Sequence, residues 1–563
     1  MKTNWRLVVI VFVVPILVLS SPLWAPRACG IVRPLLPKSV AKFIGKPMTT
    51  PTAIAPRPTA KAEESTGPKG YATPVATSTS VASVQNLSTY TVGADGYNPY
   101  ALAAAARSNE INLAIRPYAC GDYFNGISEE QRFTSLQKNE IQGYFCTLST
   151  FLLNRVNGAK VSMIVGYSSG LDMIVAGPGI TNTNDLRGKR IAAPNRSAGH
   201  FLALAALYTA NIPVSDVQLV LTSDMDQAVN KFIAGEADAV AGWLPNIGRA
   251  LDPAIGGQKI LTSKDLRLII DVFVYGPGAV RNQTKAFQRS WFEVLKNEQE
   301  HFSQVADAIC GWRYKNLSIE SWTGFPQERC AQELWNTLTD YGQASLPGNT
   351  VAFANPEWIK ESMQVIARIL QSGGLNVGGF NPDDLIDSSI VNELSTDLSL
   401  YPKEGRLPNG SFQPKVLDLP AKSVEELRSG RTVAELEFQI KFKPNSVMVE
   451  PESVANEEQK IQGLVDFIRA STGRILIEGS AAWLEDDTPE TNMKWGLDRA
   501  EALKKILIQR GIPAERIATT YVHPPENERY LPKAENIPNL NERVRLESIK
   551  DKARRDYVRV IFN

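Results

Sequence analysis

The sequence predicts an α/β protein in which two globular domains follow a transmembrane helix and a polar linker. Short β-rich runs alternate with helical stretches over residues 96–382, which is typical of a parallel, doubly wound sheet. Residues 431–563 carry a second series of strand and amphipathic-helix patterns after a proline-containing connector at 383–430, and they predict a separate α+β domain. A chain of 563 residues is long enough for more than one hydrophobic core.

The composition argues against several classes of protein. Lys and Arg total 60 and Asp and Glu total 59, so the basic excess expected of a nucleic-acid-binding protein is missing. The three histidines, His200, His301 and His523, are far apart, and no HExxH or CxxC motif occurs. The sequence also has no P-loop or G-x-G-x-x-G motif. We therefore predict no nucleic-acid partner, no metal, no cofactor and no enzymatic activity.

Residues 1–27 predict an N-terminal signal anchor. Residues 7–25 form an uncharged run of 19 residues, close to the length of about 20 that spans a bilayer. Lys2 and Arg6 precede the run and favour a cytoplasmic N-terminus with the rest of the chain exported. The alternative is a cleaved signal peptide, but the proline after Ala25 makes a poor cleavage site. We expect a single-pass inner-membrane protein with its bulk in the periplasm.

Residues 28–95 predict an unstructured tether. Thr, Pro, Ala, Ser and Gly dominate its middle, and hydrophobic periodicity is absent there. Such a composition buries too little apolar surface to order itself. The segment would hold the following domains away from the bilayer.

The cysteines agree with export. Four of the five fall into two local pairs, Cys120 with Cys146 and Cys310 with Cys330, while Cys29 is left near the membrane. Disulfides form in oxidising compartments. Each of these two disulfides would close a short loop of chain and stabilise the folded protein by about 3 kcal/mol. The alternative is that these cysteines are buried free thiols.

The elements of the middle domain follow one another in the β-α-β order. Predicted strands cover residues 111–115, 161–165, 171–175, 191–193, 217–221 and 237–241, and predicted helices cover residues 201–210 and 225–234. Between a strand and a helix, Ser197 is a plausible N-cap, and Ala198 and Gly199 leave backbone N–H groups uncovered. Arg196 and His200 would add charge or a donor. Such a helix start attracts anions, although an ordinary helix start with a surface histidine remains the alternative.

The stretch from Gly166 to Pro245 resembles the periplasmic solute-binding proteins of ABC importers, in the branch that binds nitrate, sulfonates, taurine or thiamine precursors. The matching motifs are DLRGKRIA, the small-residue helix start after it, and GEADAVAGWLP, followed by a return strand at residues 271–274. The resemblance implies two lobes that close over a small, anionic ligand by a hinge motion. It also implies ligand contacts from loops that face the cleft, at Tyr118, Asp122, Thr147, Ser168, Ser169, Ser197, Gly199, His200 and Trp243. Trp243 would either cover the ligand or pack in the core. Asp172 would cap a helix or pair with a basic group rather than contact an anion.

The C-terminal region resembles the OmpA-like domain that many envelope proteins use to hold peptidoglycan. Strands are predicted at 433–440, 475–479, 517–522 and 557–562, with helices at 457–470 and 492–510. The residues that carry the resemblance are Phe442, Asn445, Ser446, Glu478, Gly479, Asn492, Arg499 and Ala500. It implies peptidoglycan contacts at Asn492 and Arg499.

This sequence departs from the OmpA-like pattern at one decisive position. Where the family has G-H-T-D, whose aspartate binds an ammonium group, the sequence reads Gly479-Ser480-Ala481-Ala482. Loss of that counter-charge would cost about 2–5 kcal/mol of binding energy.

Two functions therefore remain open. One is a membrane-anchored receptor or sensor for a small anion, tethered to the cell wall and working with a transporter or envelope complex. The other is an envelope scaffold that binds no ligand.

Overall fold

The computed structural model describes residues 87–94, 98–117, 129–316, 327–339, 341–402, 421–443, 448–533, 536–537 and 539–562. Residues 85–563 fall into one compact unit. The predicted anchor and most of the predicted linker lie outside the described residues. Among the helices that the structure describes, none is both long and apolar enough to span a membrane.

The first part of the chain builds most of one lobe. Its elements are β1 (Thr89–Ala94), α1 (Asn98–Ala101), β2 (Asn112–Pro117), α2 (Glu129–Gln137), β3 (Gly143–Thr147), α3 (Leu148–Leu153) and β4 (Lys160–Ser168). Strands β2, β1 and β3 are neighbouring parallel strands.

The second lobe is built from the following hundred or so residues. Its elements are β5 (Asp172–Ala176), β6 (Arg190–Pro194), α4 (Ala198–Thr209), β7 (Gln218–Thr222), α5 (Met225–Ile233), β8 (Ala239–Trp243) and β9 (Gln258–Thr262). They form a five-stranded sheet in the order β7-β6-β8-β5-β9, in which β7, β6 and β8 are parallel. Helix α4 is apolar on nearly every side, because it packs against its own sheet and also against the first lobe.

The chain then returns to the first lobe. The returning elements are β10 (Ile270–Tyr275), α6 (Arg281–Asn316), α7 (Gln327–Thr339), β11 (Tyr341–Gln343), α8 (Leu346–Ala354), α9 (Glu357–Ser372) and α10 (Ser389–Leu394). They complete a six-stranded sheet in the order β11-β4-β10-β3-β1-β2. The lobes are thus joined by two connections, β4 to β5 and β9 to β10. The two-lobed α/β fold expected from the resemblance is confirmed.

The C-terminal domain has its own four-stranded sheet. Its elements are α11 (Val424–Arg428), β12 (Arg431–Phe438), α12 (Pro451–Asn456), α13 (Glu458–Arg469), β13 (Arg474–Gly479), α14 (Pro489–Gln509), β14 (Ile517–Tyr521), α15 (Leu540–Ala553) and β15 (Asp556–Phe562). The strand order is β12-β15-β13-β14, so the last strand inserts between the first and the second.

Two predicted boundaries differ from the structure. Strand β1 lies inside the predicted linker. The sequence did not predict it because its Thr and Gly residues conceal an alternation in which Tyr90, Val92 and Ala94 are buried. The first part of the predicted connector belongs to the first lobe, where Ile386 pairs with Val161 and Asp387 accepts a hydrogen bond from Tyr275.

The cysteine predictions have different outcomes. Cys310 in α6 and Cys330 in α7 form the predicted disulfide. Among the described residues Cys146 is a free, buried thiol near the end of β3, so the predicted Cys120–Cys146 disulfide is not observed there. Cys120 and Cys29 lie outside the described residues. Burial raises the pKa of the Cys146 thiol, and the carboxylates of Glu129 and Asp271 raise it further.

Candidate functional site

The parallel strands of each lobe end at the edge where a ligand site is expected. In the second lobe β6, β7 and β8 end at Pro194, Thr222 and Trp243. Ligands of open α/β sheets bind beyond such carboxyl ends, next to the starts of the helices that follow. The turn between β6 and α4 therefore lies where a ligand site is expected.

Ser197 is the N-cap of helix α4, as its residue type predicts. Its hydroxyl accepts the N–H of His200 at 3.3 Å and donates to the carbonyl of Pro194 at 2.7 Å. Among the described residues we find no acceptor for the N–H of Ala198, which is only half-buried. The helix start thus keeps a positive end with an unused donor.

His200 is held neutral within this turn. Its imidazole is 2% exposed, and its Nδ1 accepts the backbone N–H of Arg196 at 3.2 Å. This contact leaves the proton on Nε2, which is buried and has no hydrogen-bond partner among the described residues. Burial lowers the pKa of His200 to about 4, and the charge of Arg196 acts in the same direction. His200 therefore presents an N–H donor rather than a cation.

Arg196 connects the turn to the opposite lobe. Its guanidinium Nη2 donates to the Leu153 carbonyl at 2.9 Å and to Asn154 Oδ1 at 3.2 Å, both at the end of α3. Its backbone has a positive φ of 57°, which turns the chain into α4. The predicted site thus lies where the two lobes meet.

Gly199 has a packing role. A Cβ added to it would lie 2.5 Å from the carbonyl oxygen of Ala241 in β8. Helix α4 approaches β8 this closely only because position 199 has no side chain.

Thr147 lies at the matching edge of the first lobe. It is the N-cap of α3, and its hydroxyl accepts the N–H of Thr150 at 3.2 Å. It also lies 3.0 Å from the Ser149 hydroxyl. The predicted Tyr118 and Asp122, which follow β2, lie outside the described residues.

Ser168 lies on one of the two connections between the lobes, β4 to β5 and β9 to β10, which together we call the hinge. It does not line an open pocket. It ends β4, is fully buried, and its hydroxyl lies 2.7 Å from that of Ser263, which follows β9. The Ser263 hydroxyl also accepts the N–H of Gly170 at 2.9 Å and that of Asp172 at 3.2 Å. This network joins the two connections between the lobes. Ser169 is half-buried beside it.

Trp243 and Asp172 lie opposite each other across β8 and β5. Trp243 is half-buried and packs against the core of the second lobe. Burial raises the pKa of Asp172 to about 7, although a hydrogen bond from Ser168 opposes the shift. An aspartate that is partly protonated near neutral pH repels an anion less than an ionised one does.

Sequence reasoning missed a buried carboxylate in the first lobe. Asp271 in β10 is 1% exposed and accepts hydrogen bonds from Tyr100 at 2.5 Å and Tyr341 at 2.7 Å. It pairs with Thr147 across the sheet, so it lies at the same edge as the candidate site. The three residues come from distant parts of the chain, and no local motif signals them.

In the C-terminal domain, Asn492 and Arg499 already have partners inside the domain. Asn492 donates to the carbonyls of Ala481 at 3.2 Å and Ala482 at 3.3 Å, and Arg499 donates to the Ile440 carbonyl at 2.7 Å. The Arg499 guanidinium also stacks on Phe442 at 4.5 Å. Asn445 and Ser446 lie outside the described residues.

Asp556 is a buried acid near Arg499. It starts β15, is fully buried, and neither carboxylate oxygen has a hydrogen-bond partner among the described residues. Burial raises its pKa to about 7, and the positive charge of Arg499 opposes the shift.

The sequence comparisons with known proteins match part of the two-lobed domain. The model of the family described as NMT1/THI5 like matches residues 149–265, well under half of the chain. A Brucella abortus protein named "Putative binding protein" is 32% identical over 109 residues, which cover 19% of this chain and 33% of that protein. A protein of the same description from Brucella suis matches equally well. The match thus spans about a third of the length of these relatives.

Solved structures with a similar architecture include two periplasmic proteins. The aliphatic sulphonate binding protein SsuA from Escherichia coli is 16% identical, covers 54% of this chain and 99% of its own, and has a TM-score of 0.41. The nitrate-binding protein NrtA from Synechocystis PCC 6803 is 11% identical, covers 56% of this chain and 90% of its own, and also has a TM-score of 0.41.

Proposed function

We propose that this chain is a periplasmic solute-binding protein, a receptor or sensor for a small anion that works with an import or envelope complex. The observation that carries the proposal is the buried Nε2–H of His200, which has no hydrogen-bond partner among the described residues and belongs to a turn whose Arg196 bonds to the opposite lobe. A buried donor without a partner is costly, and an acceptor atom of a ligand would remove that cost. The match to the NMT1/THI5 like family supports the same class.

The surroundings of His200 favour an anion. The N-terminus of α4 contributes a positive dipole end, the N–H of Ala198 is available, and Arg196 contributes a full positive charge. The neutral imidazole donates a hydrogen bond without adding a second charge. A sulfonate, nitrate or carboxylate group has the acceptor atoms that this arrangement requires.

A thermal-shift screen of the full chain tests this proposal. The probes are nitrate, ethanesulfonate, bicarbonate and phosphate, and a true ligand at 100 times its dissociation constant adds about 2.7 kcal/mol of stability. His200→Ala should abolish the shift, because it removes the donor. The matched control is His301→Ala, which replaces an exposed histidine in α6 and should keep the shift. The absence of a shift with every anion, or an unchanged shift in His200→Ala, contradicts the proposal.

We propose further that residues 7–25 anchor the chain in the inner membrane and that the C-terminal domain is an OmpA-like module that holds peptidoglycan. The succession of strands and helices along the C-terminal domain, with Arg499 on the long helix α14, agrees with the resemblance and supports the second statement. Ala482 weakens it, because the ammonium-binding carboxylate is missing.

Co-sedimentation of the full chain with purified peptidoglycan tests the wall-binding proposal. Arg499→Ala should release the protein, whereas Arg510→Ala, which removes an ion pair to Glu458 in the same domain, should not. Retention that ignores Arg499→Ala contradicts the proposed site.

An envelope scaffold is the second candidate function. It is favoured by the contacts of Asn492 and Arg499, which are bound to carbonyls of their own domain. This candidate requires that neither the anions nor peptidoglycan bind.

A further inference from the structure

The C-terminal domain contacts the second lobe through β12, the strand at one edge of the C-terminal sheet. Strand β12 is an edge strand, and its backbone is paired by side chains of the turn Thr183–Leu186. The Thr183 hydroxyl donates to the Val433 carbonyl at 2.7 Å. The Asn184 amide donates to the Glu435 carbonyl at 2.6 Å and accepts its N–H at 2.7 Å. The second lobe thus covers an edge that would otherwise be open for pairing.

The same domain also binds one of the two connections between the lobes. On the chain between β9 and β10, the N–H of Arg267 donates to the Ala470 carbonyl at 2.9 Å, and Leu266 pairs with Ser471. Arg431 forms an ion pair with Asp265 at 2.7 Å. This connection has to bend when the lobes move relative to each other. The contacts with the C-terminal domain restrain its backbone.

Asp466 of α13 joins three parts of the molecule. It is 1% exposed and accepts two hydrogen bonds from Arg368 of α9, at 2.8 and 2.7 Å. It accepts another from the Tyr208 hydroxyl of α4 at 3.0 Å and one from Gln462 of its own helix at 2.8 Å. Helix α4 belongs to the second lobe, while α9 belongs to the first lobe and packs against α4.

The buried carboxylate of Asp466 therefore depends on both lobes for its partners. Removing one partner of such a buried, hydrogen-bonded charge is far more costly than losing an exposed ion pair. Arg368 in turn has its pKa raised by the hydrogen bonds to Asp466. The contact favours one relative position of α4 and α9.

We propose that the C-terminal domain locks the hinge of the two-lobed domain through Asp466 and the β9–β10 connection, so that domain docking and lobe position are thermodynamically linked. Linkage is reciprocal: a ligand that changes the lobe position changes the docking free energy by the same amount, and the reverse also holds. The lock rests on the fold alone, so it stands or falls independently of the anion site.

Hydrogen–deuterium exchange of the full chain tests the lock. In Asp466→Asn, we expect amide exchange in the hinge, at Gly170 and Asp172, to become about tenfold faster or more. Both amides are bonded to Ser263 and are not in contact with Asp466. Glu458→Gln is the matched control, since it removes an acidic partner of Arg510 inside the C-terminal domain and should leave hinge exchange unchanged.

The result that overturns the lock is faster exchange confined to α13 and its direct neighbours, with the hinge amides unaffected. Tyr208→Phe, which removes one hydroxyl and preserves the ring, serves if Asp466→Asn does not fold. It should raise hinge exchange in the same direction by a smaller factor, and hinge exchange equal to that of the wild type would also contradict the proposal.

Discussion

The His200 imidazole has one nitrogen bonded within its own turn and one that faces no partner among the described residues. The backbone N–H of Arg196 selects the tautomer, and burial selects the neutral form. A single residue thus becomes a donor of fixed direction. Its tautomer is set by a backbone N–H four positions earlier in the same turn.

The neutral state of His200 predicts a pH dependence of stability. Its folded pKa of about 4 lies below the ordinary 6.5, so the unfolded chain binds more protons between these values. The contribution of His200 to stability should therefore fall by on the order of a few kcal/mol as the pH is lowered from about 6.5 to 4. The raised pKa values of Asp172 and Asp556 act in the opposite direction over this range, so the His200 contribution is read from the difference between variants. Urea unfolding of His200→Gln at a series of pH values should lack this part of the slope, whereas His301→Gln should keep it. Equal slopes in all three proteins would refute the assignment.

At the scale of elements, the contact between α4 and β8 depends on the absence of a side chain at Gly199. An added methyl group would lie 2.5 Å from the Ala241 carbonyl, so either the helix or the strand would have to move. The start of α4, with Ser197 and His200, would move with the helix. Packing and the geometry of the candidate site are therefore coupled at this position.

Gly199→Ala should destabilise the protein by about 1–3 kcal/mol, the usual cost of overpacking. Gly311 is the matched control, because it lies inside helix α6 and an added Cβ meets nothing within 4 Å. Gly311→Ala should stabilise the protein by up to about 1 kcal/mol, since alanine is the better helix former. Chemical denaturation of the two variants measures both values, and a similar effect of the two substitutions would contradict the packing argument.

At the scale of the whole molecule, the C-terminal domain is joined to the rest by buried polar contacts and by a continuous hydrophobic cluster. Residues of both lobes and of the C-terminal domain belong to that cluster. The ion pair between Arg368 and Asp466 lies at the same boundary. Such an interface favours concerted rather than independent unfolding.

Differential scanning calorimetry of the full chain should therefore show one cooperative transition for the two-lobed and C-terminal domains. Asp466→Asn should separate the transition into two, because it weakens their interface without removing the core of either domain. Glu458→Gln should retain the single transition. Two well-resolved transitions in the unmodified protein would mean that the domains are energetically independent.

The sequence by itself determined the parts of the fold that depend on local pattern. The strands β4, β6 and β7, the helix after Ser197, and the four strands and helices α13 and α14 of the C-terminal domain follow from hydrophobic periodicity and capping residues, which act over a few positions. Helix α15 has no such periodicity and was not predicted. Strand β1 had the same alternation, but its polar residue types concealed it.

Only the tertiary structure decided what these residues contact. Ser168 meets Ser263 in the hinge, Asp271 meets Tyr100 and Tyr341, and Asp466 meets Tyr208 and Arg368, each over 70 or more positions of chain. Cys146 has a buried free thiol in β3, a central strand of its sheet. Contacts between distant positions arise from the packing of whole elements, and no spacing rule along the chain encodes them.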